Sequence, residues 1–122
     1  MPETTITPQT CALAGLDVVL AAANTDGSKF ANPTDERTFL LVENTNGATR
    51  NVVIETQATS VNVAGYGAQA LVDKTVTVPA TTGKTLIGPF PPGQFNDASG
   101  DVHITFSAVS GVTIAAVRLT RV

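Results

Sequence analysis

The sequence of 122 residues predicts an all-β fold: a single-domain antiparallel β-sandwich, jelly-roll or immunoglobulin-like, with an extended N-terminal arm. Three observations predict this fold. Apolar and polar residues alternate in short runs, which is typical of half-buried strands. Gly, Pro, Asn and Asp separate these runs at spacings typical of a sandwich. The chain is long enough to form one hydrophobic core without disulfides. We assign residues 1–10 to the arm and residues 11–122 to the sandwich.

The arm is rich in Thr and Pro, and the prolines at positions 2 and 8 favour an extended chain over a helix. Helix and strand compete in the segment that follows, because Ala and Leu are good helix formers. We predict a strand over residues 16–20, since Gly15 and the turn-forming residues 24–27 bracket a stretch too short for a stable helix.

The middle of the chain predicts two paired strands and a long loop. Residues 38–43 are apolar enough for a strand buried on both faces, and Asn46-Gly47 is a strong hairpin signal before residues 50–56. We therefore expect residues 38–43 and 50–56 to pair antiparallel. Residues 58–73 are less regular and predict a loop with one short strand around Val61.

The last part of the chain predicts four more strands. Residues 74–79 alternate cleanly and end at a proline, and residues 84–90 form another run that Pro91-Pro92-Gly93 closes with a rigid turn. Residues 102–109 and 112–119 flank Ser110-Gly111 and predict a β-hairpin. The total is about seven or eight strands.

Composition argues against several classes of function. Charged residues make up 14%, the net charge is −3 and the basic residues are scattered, which argues against a nucleic-acid partner. No apolar run is long enough for a membrane span, and the N-terminus lacks the pattern of a signal peptide. The lone Cys11 excludes an internal disulfide framework and is compatible with a reducing cytoplasm.

The sequence predicts no enzyme, no cofactor and no metal site. His103 is the only histidine, so an ordinary triad or a His-rich zinc site is excluded within one subunit, and we expect a solvated or interfacial side chain that could report pH. Residues 96–101 offer alternating oxygen ligands but are more simply a turn, and Gly83-Lys84-Thr85 lacks the first glycine of a phosphate loop. Tyr66, between two glycines, is either an interface anchor or a cover for the core edge.

Six short motifs distributed over most of the chain, from about Thr10 onward, carry a family resemblance. They are residues 38–44, 76–80, 87–90, 95–97, 104–109 and 112–118. In these motifs, which are structural, the chain resembles the head decoration or minor capsid proteins of tailed bacteriophages, particularly those of actinobacterial phages.

This resemblance implies a protein of the virion that binds the major capsid protein on the outside of an assembled capsid, commonly as a homotrimer, and stabilises the expanded shell. It also implies assembly in the host cytoplasm and an N-terminal arm that contacts the capsid. The arm residues so implied are Glu3, Thr4, Thr5, Ile6, Thr7 and Pro8. An extended segment of this kind can add to a neighbouring sheet edge, with Ile6 as a side-chain anchor.

Two alternatives remain open. Another virion component, such as a neck, tail-tube or head-fibre subunit, fits the same structural features. A cellular carbohydrate-binding sandwich fits less well, because stacking on sugars needs exposed aromatic rings and the chain has no Trp and one Tyr.

Overall fold

The computed structural model describes residues 3–34 and 37–119 and contains twelve short strands and one short helix. The elements follow in chain order: β1 (Thr4–Ile6), β2 (Gln9–Cys11), β3 (Ala21–Ala22), β4 (Ser28–Ala31), β5 (Thr38–Asn44), β6 (Arg50–Ile54), β7 (Ser60–Val63), β8 (Gly67–Ala70), β9 (Lys74–Val78), β10 (Gly83–Ile87), α1 (Pro92–Phe95), β11 (Asp101–Phe106) and β12 (Val112–Leu119).

The strands form two packed sheets and a separate ribbon. The first sheet has the order β1-β4-β11-β6-β9, and the second has the order β10-β5-β12-β2, with β3 also pairing with β12. Strands β7 and β8 form a two-stranded ribbon of their own. The predicted all-β sandwich is therefore confirmed. Pairing is antiparallel except where β1 joins β4 and where β2 joins β12, both in parallel.

The strand order resembles that of a jelly roll, one of the two topologies left open by the sequence. If β4 to β11 are counted as strands one to eight, the order of the first sheet from β4 is one, eight, three, six, and strand two pairs with strand seven in the other sheet. A jelly roll has this order and places strands four and five beside strand seven. Here those two strands, β7 and β8, form the separate ribbon instead.

The core lies between the two sheets and follows the alternation that the sequence shows. Val102 and Ile104 of β11 face inward, as do Leu40 and Val42 of β5, and all four are fully buried. Residues 38–43 are not buried equally on both faces, because Phe39, Leu41 and Glu43 are only half-buried on the outer face of their sheet. Three aromatic rings, those of Phe30, Phe90 and Phe95, close one end of the core.

The predicted hairpin in the last third of the chain is wrong. Strand β11 lies in the first sheet between β4 and β6, whereas β12 lies in the second sheet beside β5. The chain at Ser110-Gly111 crosses between the sheets as an arch. Gly111 permits this crossing, since its φ is 77° and an added Cβ would lie 2.8 Å from the backbone nitrogen of Asn46.

The predicted pairing of residues 38–43 with residues 50–56 is also wrong, for the same reason. Strand β5 lies in the second sheet and β6 in the first, so the Asn46-Gly47 segment is a second arch. The fully buried Asn44 holds it closed: its Nδ2 donates to the carbonyls of Ala48 (2.9 Å) and Pro79 (3.1 Å), and its Oδ1 accepts from the amide of Asn46 (3.0 Å).

Three smaller predictions need correction. Residues 16–20 are not a strand, because the side chain of Gln9 bonds both backbone groups of Val19 (2.7 and 2.9 Å) where a neighbouring strand would. Residues 58–73 hold two strands in place of one. The turn at Pro91-Pro92-Gly93 continues into α1, since Pro92 suits the first position of a helix.

Candidate functional site

Most described residues of the predicted arm form strands of the sandwich itself. The amide of Thr4 donates to the carbonyl of Gly27 (3.1 Å), the Thr4 hydroxyl accepts from Asn24 Nδ2 (2.7 Å), and Ile6 packs against the core. The arm therefore does add to a sheet edge with Ile6 as its anchor, but the edge is that of its own β4. Thr7 and Pro8 connect β1 to β2, while Met1 and Pro2 lie outside the described residues.

Strand β1 leaves one edge of the first sheet open. It is the last strand in its sheet, and within residues 3–34 and 37–119 no strand pairs with its outer side. Because successive amides of a strand point to opposite sides and that of Thr4 points to β4, the amide of Thr5 points outward. Thr4 and Thr5 are exposed. This edge can accept a further strand through main-chain hydrogen bonds.

His103 lies at the centre of a cluster that joins three segments of the chain: the N-terminal segment, the loop after α1 and β11. Its Nδ1 lies 2.9 Å from a carboxylate oxygen of Glu3, and its Nε2 lies 2.5 Å from Oδ2 of Asp97. Its side chain lies on the face opposite Val102 and Ile104 and is 17% exposed, so it is half-buried and not freely solvated. Sequence reasoning missed both partners, because nothing in the pattern links residue 3 to residue 103.

The electrostatics of this cluster favour the charged imidazolium. Burial lowers the pKa of His103, but the hydrogen bonds and charges of Asp97 and Glu3 outweigh burial, and the net pKa lies above the ordinary value of 6.5. The pKa of Asp97 falls to about 2, chiefly because its carboxylate accepts the backbone amide of Asp101 and the imidazole of His103. Both ring nitrogens are thus engaged by carboxylates, which leaves neither free to take a proton from a substrate.

Tyr66 lies at the tip of the β7–β8 ribbon and is 78% exposed, which favours the interface interpretation over a role at the core edge. Every residue of both ribbon strands is exposed, including the apolar side chains of Val61 and Val63. Residues 57–72 contain no charged side chain. The base of the ribbon is tied to α1, since the amides of Gln57 and Ala58 both donate to the carbonyl of Gln94 (2.9 and 3.1 Å).

The described surface has two apolar grooves. One of about 190 Å³ lies between the edges of β9 and β10 and is lined by apolar side chains that include Ile54, Val76 and Phe95. The other, of about 300 Å³, lies at the ribbon's base against Val61 and Leu71. Both are lined mainly by apolar atoms and suit protein contact better than polar chemistry.

The remaining candidate chemistry is structural in the described residues. Asp97 Oδ1 accepts the amides of Ser99 (2.8 Å) and Asp101 (3.0 Å), so the predicted turn is present in residues 96–101. No group of three metal-ligating side chains occurs within residues 3–34 and 37–119. Gly83 begins β10, and an added Cβ there would lie 2.0 Å from the carbonyl oxygen of Pro79, so close packing accounts for this glycine.

No protein-family model, no curated protein and no solved structure matches the chain. No helix in the described part of the chain is long and apolar enough to cross a membrane.

Proposed function

We propose that this protein is a structural component of a tailed-phage virion that decorates the outer surface of the assembled capsid by binding the major capsid protein, as a homo-oligomer and most simply a trimer. The observation that carries the proposal is the β7–β8 ribbon, which exposes uncharged and apolar residues on both faces. An isolated two-stranded ribbon is only marginally stable in water, so contact with a binding partner would stabilise it.

Several features favour binding over chemistry. The only described histidine has both nitrogens bonded to carboxylates, and open strand edges lie at β1, β9 and β10. Such edges can bind a partner through main-chain hydrogen bonds of modest affinity. On a repeating capsid lattice, an oligomer can make several of these contacts at once, which raises its overall affinity. A jelly-roll order occurs in viral capsid domains, but also in lectins and cupins, so the fold alone does not decide.

The fold does not provide the exposed aromatic rings that the carbohydrate-binding alternative requires. All five phenylalanines are buried or half-buried, and Tyr66 is the one exposed aromatic ring within residues 3–34 and 37–119. A single ring on a projecting ribbon does not form the stacking platform that sugar binding usually needs.

Copy number in purified particles tests the proposal. Quantitative mass spectrometry is expected to find hundreds of copies per virion, since a decoration protein repeats over a closed symmetric shell. A count of six or twelve would assign the chain to the neck or tail instead. Absence from purified particles would refute both virion roles.

Binding to capsids that lack this protein tests the ribbon. Tyr66→Ser is expected to lower occupancy about tenfold or more, because tyrosines that become buried on binding frequently contribute much of the binding energy of an interface. Leu13→Ser is the matched control, since Leu13 is 98% exposed but lies in the segment between β2 and β3. Equal occupancy of the two variants would contradict a role for the ribbon.

The outer edge of β1 is tested by its one outward amide. Thr5→Pro removes that donor and is expected to weaken capsid binding, whereas Thr5→Val keeps the amide and is expected to bind as the unchanged protein does. A proline on an edge strand leaves the bond between Thr4 and Gly27 intact. Unchanged binding by Thr5→Pro would exclude this edge as a docking site.

A further inference from the structure

Glu3, His103 and Asp97 join the N-terminus, β11 and the loop after α1 through a single imidazole ring. Carboxylates only accept hydrogen bonds, so both contacts form together only when both ring nitrogens carry a proton. A neutral imidazole has one N–H, and its other nitrogen then presents a lone pair to a carboxylate. The complete contact therefore requires the imidazolium.

The surroundings of His103 add mainly negative charge. Lys29 lies opposite it in the register on β4, and Glu55 follows β6 on the other side, its amide donating to the His103 carbonyl (3.0 Å). Asp101 precedes it by two residues on the same strand. Of these neighbouring charged residues, only Glu3 and Asp97 contact the ring, and both carboxylates favour its protonated form.

Strand β1 depends on few other contacts. It spans three residues, and within residues 3–34 and 37–119 it pairs with β4 alone. The register aligns Thr5, Lys29 and His103 across three neighbouring strands. Glu3 lies two residues before Thr5, so its bond to His103 ties β1 across β4 to β11. The other contacts that hold the strand are its pairing with β4, the Thr4–Gly27 and Asn24–Thr4 bonds, and the packing of Ile6 against the core.

We propose that Glu3, His103 and Asp97 form a proton-dependent clasp that holds β1 on the edge of β4 and releases it when His103 loses its proton. The deprotonated ring keeps its remaining N–H for Asp97, the closer of the two carboxylates, and Glu3 loses its donor. The raised pKa of His103 agrees with this direction of pH dependence. The clasp is closed below the ordinary pKa of 6.5 and opens as the pH rises through the pKa of the folded state. Release would free both β1 and the edge of β4 for other strands.

Hydrogen exchange of the Thr4 amide tests the clasp directly, because that amide bonds to Gly27 only while β1 is in place. Protection, corrected for the intrinsic pH dependence of exchange, is expected to fall about two- to fivefold between about pH 5.5 and about pH 8. The buried Leu40 on β5 serves as the reference amide and is expected to keep its protection.

Two variants and a control separate the clasp from general titration. Glu3→Ala removes the acceptor, and His103→Gln removes the titrating ring, so both variants are expected to show low Thr4 protection at both pH values, with no fall between them. Glu43→Ala removes a carboxylate from the other sheet and is expected to retain the fall. A fall of equal size in Glu3→Ala, or no fall in the unchanged protein, would overturn the proposal.

Discussion

Replacement of Asn44 by alanine tests whether the arch after β5 depends on a buried amide. Asn44 is fully buried and its side chain makes three hydrogen bonds, two donated to the carbonyls of Ala48 and Pro79 and one accepted from Asn46. A neutral hydrogen bond contributes about 1 kcal/mol net, so Asn44→Ala is expected to lower the free energy of unfolding by about 3 kcal/mol. For a chain of this length, that corresponds to a fall in Tm of about 10–15 °C.

Urea denaturation followed by circular dichroism measures the loss, with Asn51→Ala as the control. Asn51 is exposed on β6, and its side-chain oxygen accepts one bond, from the Thr77 hydroxyl (3.0 Å). Its removal is expected to cost less than about 1 kcal/mol. Equal losses in the two variants would refute the reasoning, because they would show that the buried amide contributes no more than an exposed one.

Three further predictions address the crossing, the core and the charge cluster. Gly111→Ala is expected to lower Tm by several degrees, because its φ is 77° and the added Cβ meets the neighbouring arch, whereas Gly47→Ala meets nothing and is expected to leave Tm nearly unchanged. Phe30→Ala is expected to cost about 3–5 kcal/mol in urea denaturation, since the ring is fully buried 5.4 Å from that of Phe90. Stability measured against pH is expected to fall at both ends of the range. The share due to Asp97 is present above its ordinary pKa of 3.8 and is lost as the pH falls towards about 2, and the share due to His103 is present below 6.5 and is lost as the pH rises above its raised pKa. A flat profile above 6.5 would contradict the second assignment.

Local pattern was sufficient to predict six of the strands, namely β5, β6 and β9 to β12, and the inward face of β11. Val102 and Ile104 alternate with His103 and Thr105, and the structure buries the first pair fully. This prediction succeeds because the two-residue period of a strand fixes which side chains share a face. The same holds for β9, where Val76 and Val78 point inward from exposed neighbours.

Pairing partners could not be predicted from the same pattern. An arch and a hairpin both connect two alternating strands through a short Gly-containing turn, and the alternation within β11 or β12 is identical in either case. The choice depends on contacts made by remote residues, such as the Asn44 amide on Pro79 and the Thr45 amide on the carbonyl of Gly111 (2.9 Å). Loop length and turn residues alone do not carry that information.

The His103 cluster was invisible to the sequence for a related reason. Glu3 reaches the ring only because β1 joins β4 in parallel, and a parallel pairing of a three-residue strand has no local signal. Asp97 reaches it because its turn folds back on the start of β11. The sequence predicted a solvated or interfacial His103 that reports pH, but the partners of its ring follow from the sheet order.

One departure from jelly-roll order accounts for two candidate surfaces, the edge of β10 and the β7–β8 ribbon. In a complete jelly roll, the fourth and fifth strands lie beside the seventh and cover its edge. Here those strands are β7 and β8, and their separation leaves the edge of β10 open, with Leu86 62% exposed on that strand. The same separation exposes the ribbon with Tyr66 at its tip. If the ribbon paired with β10 of its own chain, it would cover the edge of β10 and its own faces at the same time. A partner that binds either surface therefore requires the ribbon to be separate from β10, and the other surface is then exposed as well.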